Sequence, residues 1–292
     1  MRGGSGGLAQ DPPERRGVRW TDLSKRAVSA AILAPLALAS IWLGSGAWAL
    51  VVGLLTVGLA CEWVWICGLR LTEPPGLVVP VAASAACILA ADERDAAAFF
   101  ALAAGAVGAW LLTLVLPAGR MMPAFRSFSL AAGIPYIGAA SIALLWLRQD
   151  EGAGRANVLF LILIVWASDV GAYAVGRLVG GPKLAPHISP NKTWSGAIGG
   201  LLAAAMTGAG FAFLADGGDC WLAAAVAVSL GCVSQFGDLL ESLFKRRFGV
   251  KDSGRLIPGH GGLLDRLDGV LAAAPAAALL ALALGPGVVL WQ

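Results

Sequence analysis

Residues 46–68 read GAWALVVGLLTVGLACEWVWICG, 23 positions whose only charge is Glu62. A helix needs about 20 mostly apolar residues to cross about 30 Å of hydrocarbon, and a soluble helix would show a polar face within so long a run. Working outward, eight further stretches approach that length: residues 27–43, 76–91, 96–117, 127–147, 157–176, 194–215, 220–240 and 267–291, the third span, 76–91, being the shortest. Over the whole chain 58% of residues are hydrophobic and 13% charged, against about 25% charged in a soluble domain. The expected fold is therefore all-α, a polytopic membrane helical bundle of about nine transmembrane helices. Short links between most spans favour antiparallel neighbours, but residues 177–193 and 241–266 are longer, polar loops. Residues 1–26, rich in Gly, Pro and Arg and without the apolar core of a signal peptide, are expected to form a disordered cytoplasmic tail. Residues 27–147 then form an N-terminal set of helices, and 157–292 a C-terminal catalytic region.

Charge placement orients this bundle. With the N-terminus inside, 18 of the 21 Lys and Arg fall on the inner side, leaving only Arg94, Arg148 and Arg155 outside. The outer loops are acidic instead, carrying Asp92, Glu93, Asp95, Asp150, Glu151, Asp216 and Asp219. This asymmetry predicts a cytoplasmic N-terminus and places both long loops on the cytoplasmic side. The five cysteines, Cys61, Cys67, Cys87, Cys220 and Cys232, are scattered through apolar stretches without CxxC spacing, and read as packing residues.

Acidic residues inside spans cost about 2.5–3.5 kcal/mol each at mid-bilayer, so each calls for a reason. Glu62, Asp169, Asp238 and Glu241 lie near the cytoplasmic ends of their spans. Asp238, Glu241, Ser242 and Lys245 recur at spacings of three and four, one face of a helix. Asp169, Tyr173 and Gly176 repeat that pattern on the sixth span. Downstream of Lys245, Arg246 and Arg247 come Lys251, Asp252, Arg255, His260, Gly261, Gly262, Asp265, Arg266 and Asp268. A cationic run, a Gly-rich turn and a helix start with two carboxylates suit a nucleoside triphosphate. Lys and Arg neutralise phosphate oxygens, glycines let backbone amides face them, and carboxylates hold Mg²⁺. A positive-inside loop followed by a capped helix would explain Lys245, Arg246 and Arg247 but not Asp238, Asp265 and Asp268. His260 alone is a weak signal.

The segment Ser242 to Asp268 resembles the signature of the phosphatidate cytidylyltransferase (CDP-diacylglycerol synthase) family: S-x-x-K-R, four residues, K-D, then H-G-G-x-x-D-R-x-D. A second block, Asp169-Val-Gly171-Ala-Tyr173 through Gly176-Arg177 and then Ser189-Pro190-Asn-Lys192-Thr193, is similar to further motifs of that family. Ser195 departs from it, standing where many relatives carry Glu or Gln. Together these blocks span about a third of the chain. The resemblance implies transfer of the cytidylyl group of CTP to phosphatidic acid, giving CDP-diacylglycerol and pyrophosphate, at the cytoplasmic face of the cytoplasmic membrane. Asp238 and Asp265 are then the expected ligands of Mg²⁺, in a two-cation centre whose second member is another Mg²⁺ or a monovalent ion such as K⁺. Lys245, Arg246, Asp268 and Asp169 complete the expected catalytic set. Ser189, Lys192, Thr193, Lys251, Asp252, His260, Gly261, Gly262 and Arg266 are expected to hold substrate, with amides at Gly261 and Gly262 facing phosphate at the start of the ninth helix. An ordinary helix N-cap at Thr193 or Ser195 is the plain alternative for that position. The expected partners are CTP, phosphatidic acid and membrane lipids, with no nucleic acid, and a homodimer is compatible with the resemblance.

Three rivals are weaker. A transporter would carry its charges at mid-bilayer, often in inverted repeats, whereas these gather near one face. The D-G-x-x-A-R block of CDP-alcohol phosphotransferases is absent, as is any G-x-x-x-x-G-K-[ST] loop.

Overall fold

The structure, a computed structural model, describes residues 34–116, 123–215, 218–254 and 261–292. The N-terminal tail, Arg120, Asp216, Arg255 and His260 lie outside these residues. Among the described residues there are nine helices: α1 (Ala34–Leu43), α2 (Ser45–Ile66), α3 (Pro74–Ala91), α4 (Asp95–Val115), α5 (Ala124–Gln149), α6 (Gly154–Val179), α7 (Trp194–Leu214), α8 (Cys220–Arg247) and α9 (Leu264–Leu284). The last eight are each long and apolar enough to cross a bilayer. The protein is therefore an integral membrane protein, as its composition implies.

Helix α5 is the most enclosed of the eight and packs against α2, α3, α4 and α9. Its sequence allows this because small residues face its neighbours. A Cβ on Gly133 would fall 2.1 Å from the Trp63 ring, and one on Gly138 2.2 Å from Leu102. Lipid tails are as apolar as leucine, so close backbone approach and internal hydrogen bonds, not water exclusion, hold such helices together. Thr56 and Ser141 share a 2.7 Å hydrogen bond across α2 and α5, and Trp48 Nε1 donates to Leu144 O at 2.9 Å. The α6–α7 pair uses the same device: Gly171 and Gly176 lie against Gly199, Gly200 and Gly196. Large apolar residues such as Phe99, Phe100, Trp110 and Leu114 on α4 point outward.

Three boundaries differ from the sequence expectation. The apolar run of the eighth span ends at 240 and residues 241–266 are expected as a loop, yet α8 runs on to Arg247, so Glu241, Ser242 and Lys245 stand on that helix, as their three- and four-residue spacing predicts. Charged residues at helical spacing need no break, three cations in the last turn suit the negative end of the dipole, and the chain turns only at Gly249, whose φ is +73°. The polar segment 177–193 contains a short antiparallel hairpin, β1 (Lys183–Ala185) and β2 (Ser189–Thr193), after α6 ends at Val179. Finally α9 stops at Leu284, not 291, because Gly285 takes φ +98°. The remaining residues fold back: Leu290 N donates to Asn157 Oδ1 at 2.9 Å, and Trp291 packs on Phe160 and Phe211 at 5.0 and 5.2 Å.

The same end of the bundle is tied by Asp150, which receives Gly152 N and Ala153 N on one oxygen and Gly287 N on the other. Hydrogen bonds from Ala153 and Gly287 hold its carboxyl below the usual aspartate range. A depressed folded value stabilises above the unfolded one and is lost as pH falls. The melting-temperature gap between wild type and Asp150→Asn in detergent should therefore be constant above about pH 5 and close as pH falls through and below about 3.9. A gap independent of pH would show that the carboxylate does not hold this end.

Candidate active site

The polar faces expected on α6, α8 and α9 meet at one end of the bundle. Asp238 and Glu241 on α8 and Asp268 on α9 each offer a carboxylate oxygen, all within 4.8 Å of one another. Helices α8 and α9 come close enough for this because a Cβ on Gly237 would strike Ala272 Cβ at 2.4 Å, and one on Gly269 would meet Ser234 Oγ at 2.3 Å. Asp169, on the exposed side of α6, shares the electrostatic field of Asp238, Lys192 and Arg266.

Three like charges so close would repel strongly without cations, and two lysines supply them. Lys192, carried by β2, places Nζ 2.5 Å from Asp238 Oδ2. Lys245 lies between Glu241 Oε2 at 2.8 Å and Asp265 Oδ1 at 2.5 Å. The Glu241 contact is an ion pair without hydrogen-bond alignment, and Glu241 Oε1 is buried without a hydrogen-bond partner among the described residues. Glu241 is 1% exposed at its side chain and Lys245 12%, so this pair is desolvated.

Asp265 stands apart from the carboxylate trio. Besides Lys245, it accepts Ser253 N at 2.9 Å and Gly262 N at 3.0 Å, both on Oδ2. The Gly262 amide is thus committed to a protein carboxylate instead of facing open space. Gly261 takes φ +86°, a conformation that favours glycine, and carries the chain into α9. Leu263 N and Leu264 N donate to the Glu62 carboxylate at 2.8 Å each, which explains the lone acid within α2.

The remaining expected residues are spread around this centre. Thr193 is the N-cap of α7, accepting Gly196 N at 3.1 Å, so the capping alternative describes its hydroxyl, while Ser195 Oγ donates to Gly180 O and ties α7 to the end of α6. Ser189 pairs with Ala185 in the hairpin. Arg246 is exposed and donates to Ile188 O and Val250 O, pinning the hairpin to the end of α8. Arg266 is exposed on the first turn of α9. Lys251 and Asp252, also exposed, edge a cavity of about 840 Å³ that reaches Cys61, Glu62 and Trp65.

Sequence reasoning left out several residues that the geometry brings in. Glu241 was legible as an intramembrane acid but was not assigned. Ser253 is fully buried beside Asp265, yet a serine in a polar loop gives no signal. Tyr136 on α5 packs on Trp63 at 5.6 Å, and its hydroxyl is buried without a hydrogen-bond partner among the described residues. It shares the field of Asp268, Glu241 and Asp238, and only the fold reveals it.

Residues 24–284 match the cytidylyltransferase family. This chain belongs to that family. Proteins from Brucella suis and Brucella abortus are each 41% identical over 255 residues, 87% of this chain and 91% of theirs, and both carry the name phosphatidate cytidylyltransferase. A Staphylococcus saprophyticus protein of the same name is 44% identical over 143 residues, 49% of this chain and 54% of its own.

Removing one partner of a buried ion pair costs about 3–5 kcal/mol, because the other charge is left uncompensated. Lys245→Met should therefore lower the melting temperature in detergent markedly, and adding Glu241→Leu should restore part of it. Equal melting temperatures for the single variant and wild type would mean that Lys245 is not holding the α8–α9 junction together.

Proposed function

We propose that this protein joins CTP to phosphatidic acid, releasing pyrophosphate and leaving CDP-diacylglycerol in the membrane. The observation that carries this reading is the convergence of α8, α9 and the 183–193 hairpin on one cluster of carboxylates and lysines, at one end of a bundle whose sides expose large apolar residues. A lipid substrate is then available from the hydrocarbon side and a nucleotide from the aqueous side. The bias of Lys and Arg toward that end supports a cytoplasmic active site in the cytoplasmic membrane. A homodimer belongs to the same reading, carried by the family resemblance.

In this reaction an oxygen of the lipid phosphate monoester attacks the α-phosphorus of CTP, and the bond to the pyrophosphate oxygen breaks. The nucleophile is already ionised, so no general base is required. The obstacle is bringing two polyanions together, which makes positioning and charge neutralisation the main sources of rate. Lys192 on the hairpin, Arg246 at the end of α8 and Lys251 and Arg266 around the rim are cations that phosphate oxygens can reach from the aqueous side. When phosphate arrives, Lys192 can exchange its Asp238 partner for it, freeing that carboxylate.

The donor set fits a hard divalent cation such as Mg²⁺, which prefers oxygen ligands. The three oxygens lie within 4.8 Å, and Glu241 Oε1 is buried without a hydrogen-bond partner among the described residues. Asp238 and Asp268, with Glu241, would hold the ion. Asp265 would first have to exchange Lys245 for it, and a second cation such as K⁺ would share the same carboxylates. Such an ion supplies neutralisation of the phosphate oxygens.

Purified protein given phosphatidic acid, labelled CTP and Mg²⁺ should yield a lipid-soluble cytidine product and pyrophosphate. Asp238→Asn and Asp268→Asn should each lower turnover by about 10²-fold or more while the protein stays in the membrane. Lys192→Ala should chiefly raise KM for CTP. Unchanged turnover in both aspartate variants would remove the carboxylate cluster from the reaction.

A further inference from the structure

We infer that Glu62, on α2 and far in sequence from the segment that carries the family resemblance, is a positioning residue that sets the catalytic end of α9. Its kinetic consequences rest on the cytidylyl-transfer reading; its geometry does not.

The first amides of a helix need acceptors, and a local Ser, Asp, Thr or Asn ordinarily provides one. Helix α9 has Leu263 as its N-cap, with no side-chain cap bond. The acceptor comes instead from more than 200 positions upstream: Glu62 Oε1 receives Leu263 N and Oε2 receives Leu264 N, both at 2.8 Å. Glu62 is 4% exposed, and Ser253 Oγ donates to Oε2 at 3.0 Å as a third partner. Bonds to an ionised acceptor at a helix N-terminus are among the stronger ones available to a protein.

The surroundings are shaped around the carboxylate. A Cβ on Gly254 would lie 2.6 Å from Glu62 Oε1, and one on Gly262 would lie 2.6 Å from Oε2 and 1.9 Å from Ser253 Oγ. Gly58, one turn earlier on α2, leaves room for Leu263, since a Cβ there would fall 2.8 Å from Leu263 Cδ2.

The clamp does not end at the helix cap. Ser253 N donates to Asp265 Oδ2, and Asp265 N points to Ser253 Oγ at 3.3 Å. Asp265 is held by Lys245, and Lys245 pairs with Glu241. Direct contacts therefore run from Glu62 through Ser253, Asp265 and Lys245 to Glu241, and Asp268 stands one turn beyond Asp265 on the helix whose start Glu62 fixes. A displacement of about 1 Å in a reacting constellation can cost about 10²-fold in rate. Loosening this clamp should therefore reach turnover before it reaches substrate binding.

The test uses the full-length protein in detergent with phosphatidic acid and CTP. Glu62→Gln keeps the shape of the side chain and removes its charge, and should lower kcat by about 10–100-fold, the range seen when partners one shell out from an ion site are lost, with KM for CTP changed by less than about threefold. Ser253→Ala should lower kcat in the same sense, and the double variant should be no worse than Glu62→Gln, because the two side chains act in one chain of contacts. A purely structural role would lower the yield and melting temperature of Glu62→Gln but leave kcat per folded molecule at the wild-type value, and that result would overturn the inference. Should Glu62→Gln not fold, Ser253→Ala decides by the same kcat criterion. If wild type forms no lipid-soluble cytidine product, the cytidylyl-transfer reading falls, and hydrogen exchange still judges the clamp. Faster exchange confined to residues 261–268 in Glu62→Gln or Ser253→Ala would uphold it, and unchanged exchange there would refute it.

Discussion

Charge buried in an apolar bundle must be answered by charge or by hydrogen bonds, and Lys245 is where this protein meets that demand. Its ammonium lies between Glu241 on its own helix and Asp265 on the next, with both side chains largely shielded from water. Isolated carboxylates at this depth would be expensive, and separate capping of each would leave α8 and α9 free to slide. The lysine instead joins the two helices through one cation shared by both acids. Gly237 and Gly269 serve the same junction from the apolar side, since neither contact tolerates a Cβ without displacement.

Around this pair that end of the bundle is layered by chemistry. The innermost shell is anionic: Asp238, Glu241 and Asp268 share one small volume. Next come the cations that balance it, Lys192 from the hairpin and Lys245 from α8. Outside those, Arg247 lies over the Phe125 ring at 5.5 Å and Arg126 over the Phe248 ring at 5.6 Å, where the aromatic face stabilises the cation. The acidic centre is thus enclosed by a basic rim, with the charges of one offset by those of the other. The N-terminal helices join through α2, whose Glu62 reaches across to α9, so the two halves of the bundle form one working unit.

Much of the bundle was legible because its signals are local. Span length, the one-sided placement of Lys and Arg, and the three- and four-residue spacing of Asp238, Glu241, Ser242 and Lys245 all follow from neighbours along the chain. Helix ends were read less well. The apolar run of the eighth span ends at 240, but polarity does not break a helix, and α8 continues past Lys245 until Gly249 permits a turn. The end of α9 was missed for the converse reason: apolar residues after Gly285 resemble a span but are recruited to pack on Phe160 and Phe211.

The sequence by itself determined the membrane class, the eight long apolar helices that follow residue 44, the family signature and the set of charged residues from which a phosphate-handling site could be built. Those properties depend on composition and short-range spacing, which the chain carries wherever it folds. Only the tertiary structure decided which acids meet. Asp238 is grouped with Glu241 and Asp268, Asp265 is bound to Lys245 and two backbone amides, and Glu62 is matched to donors about 200 residues away. Such pairings depend on how helices cross and where small residues let them approach, and no pattern along a single strand of sequence contains that information.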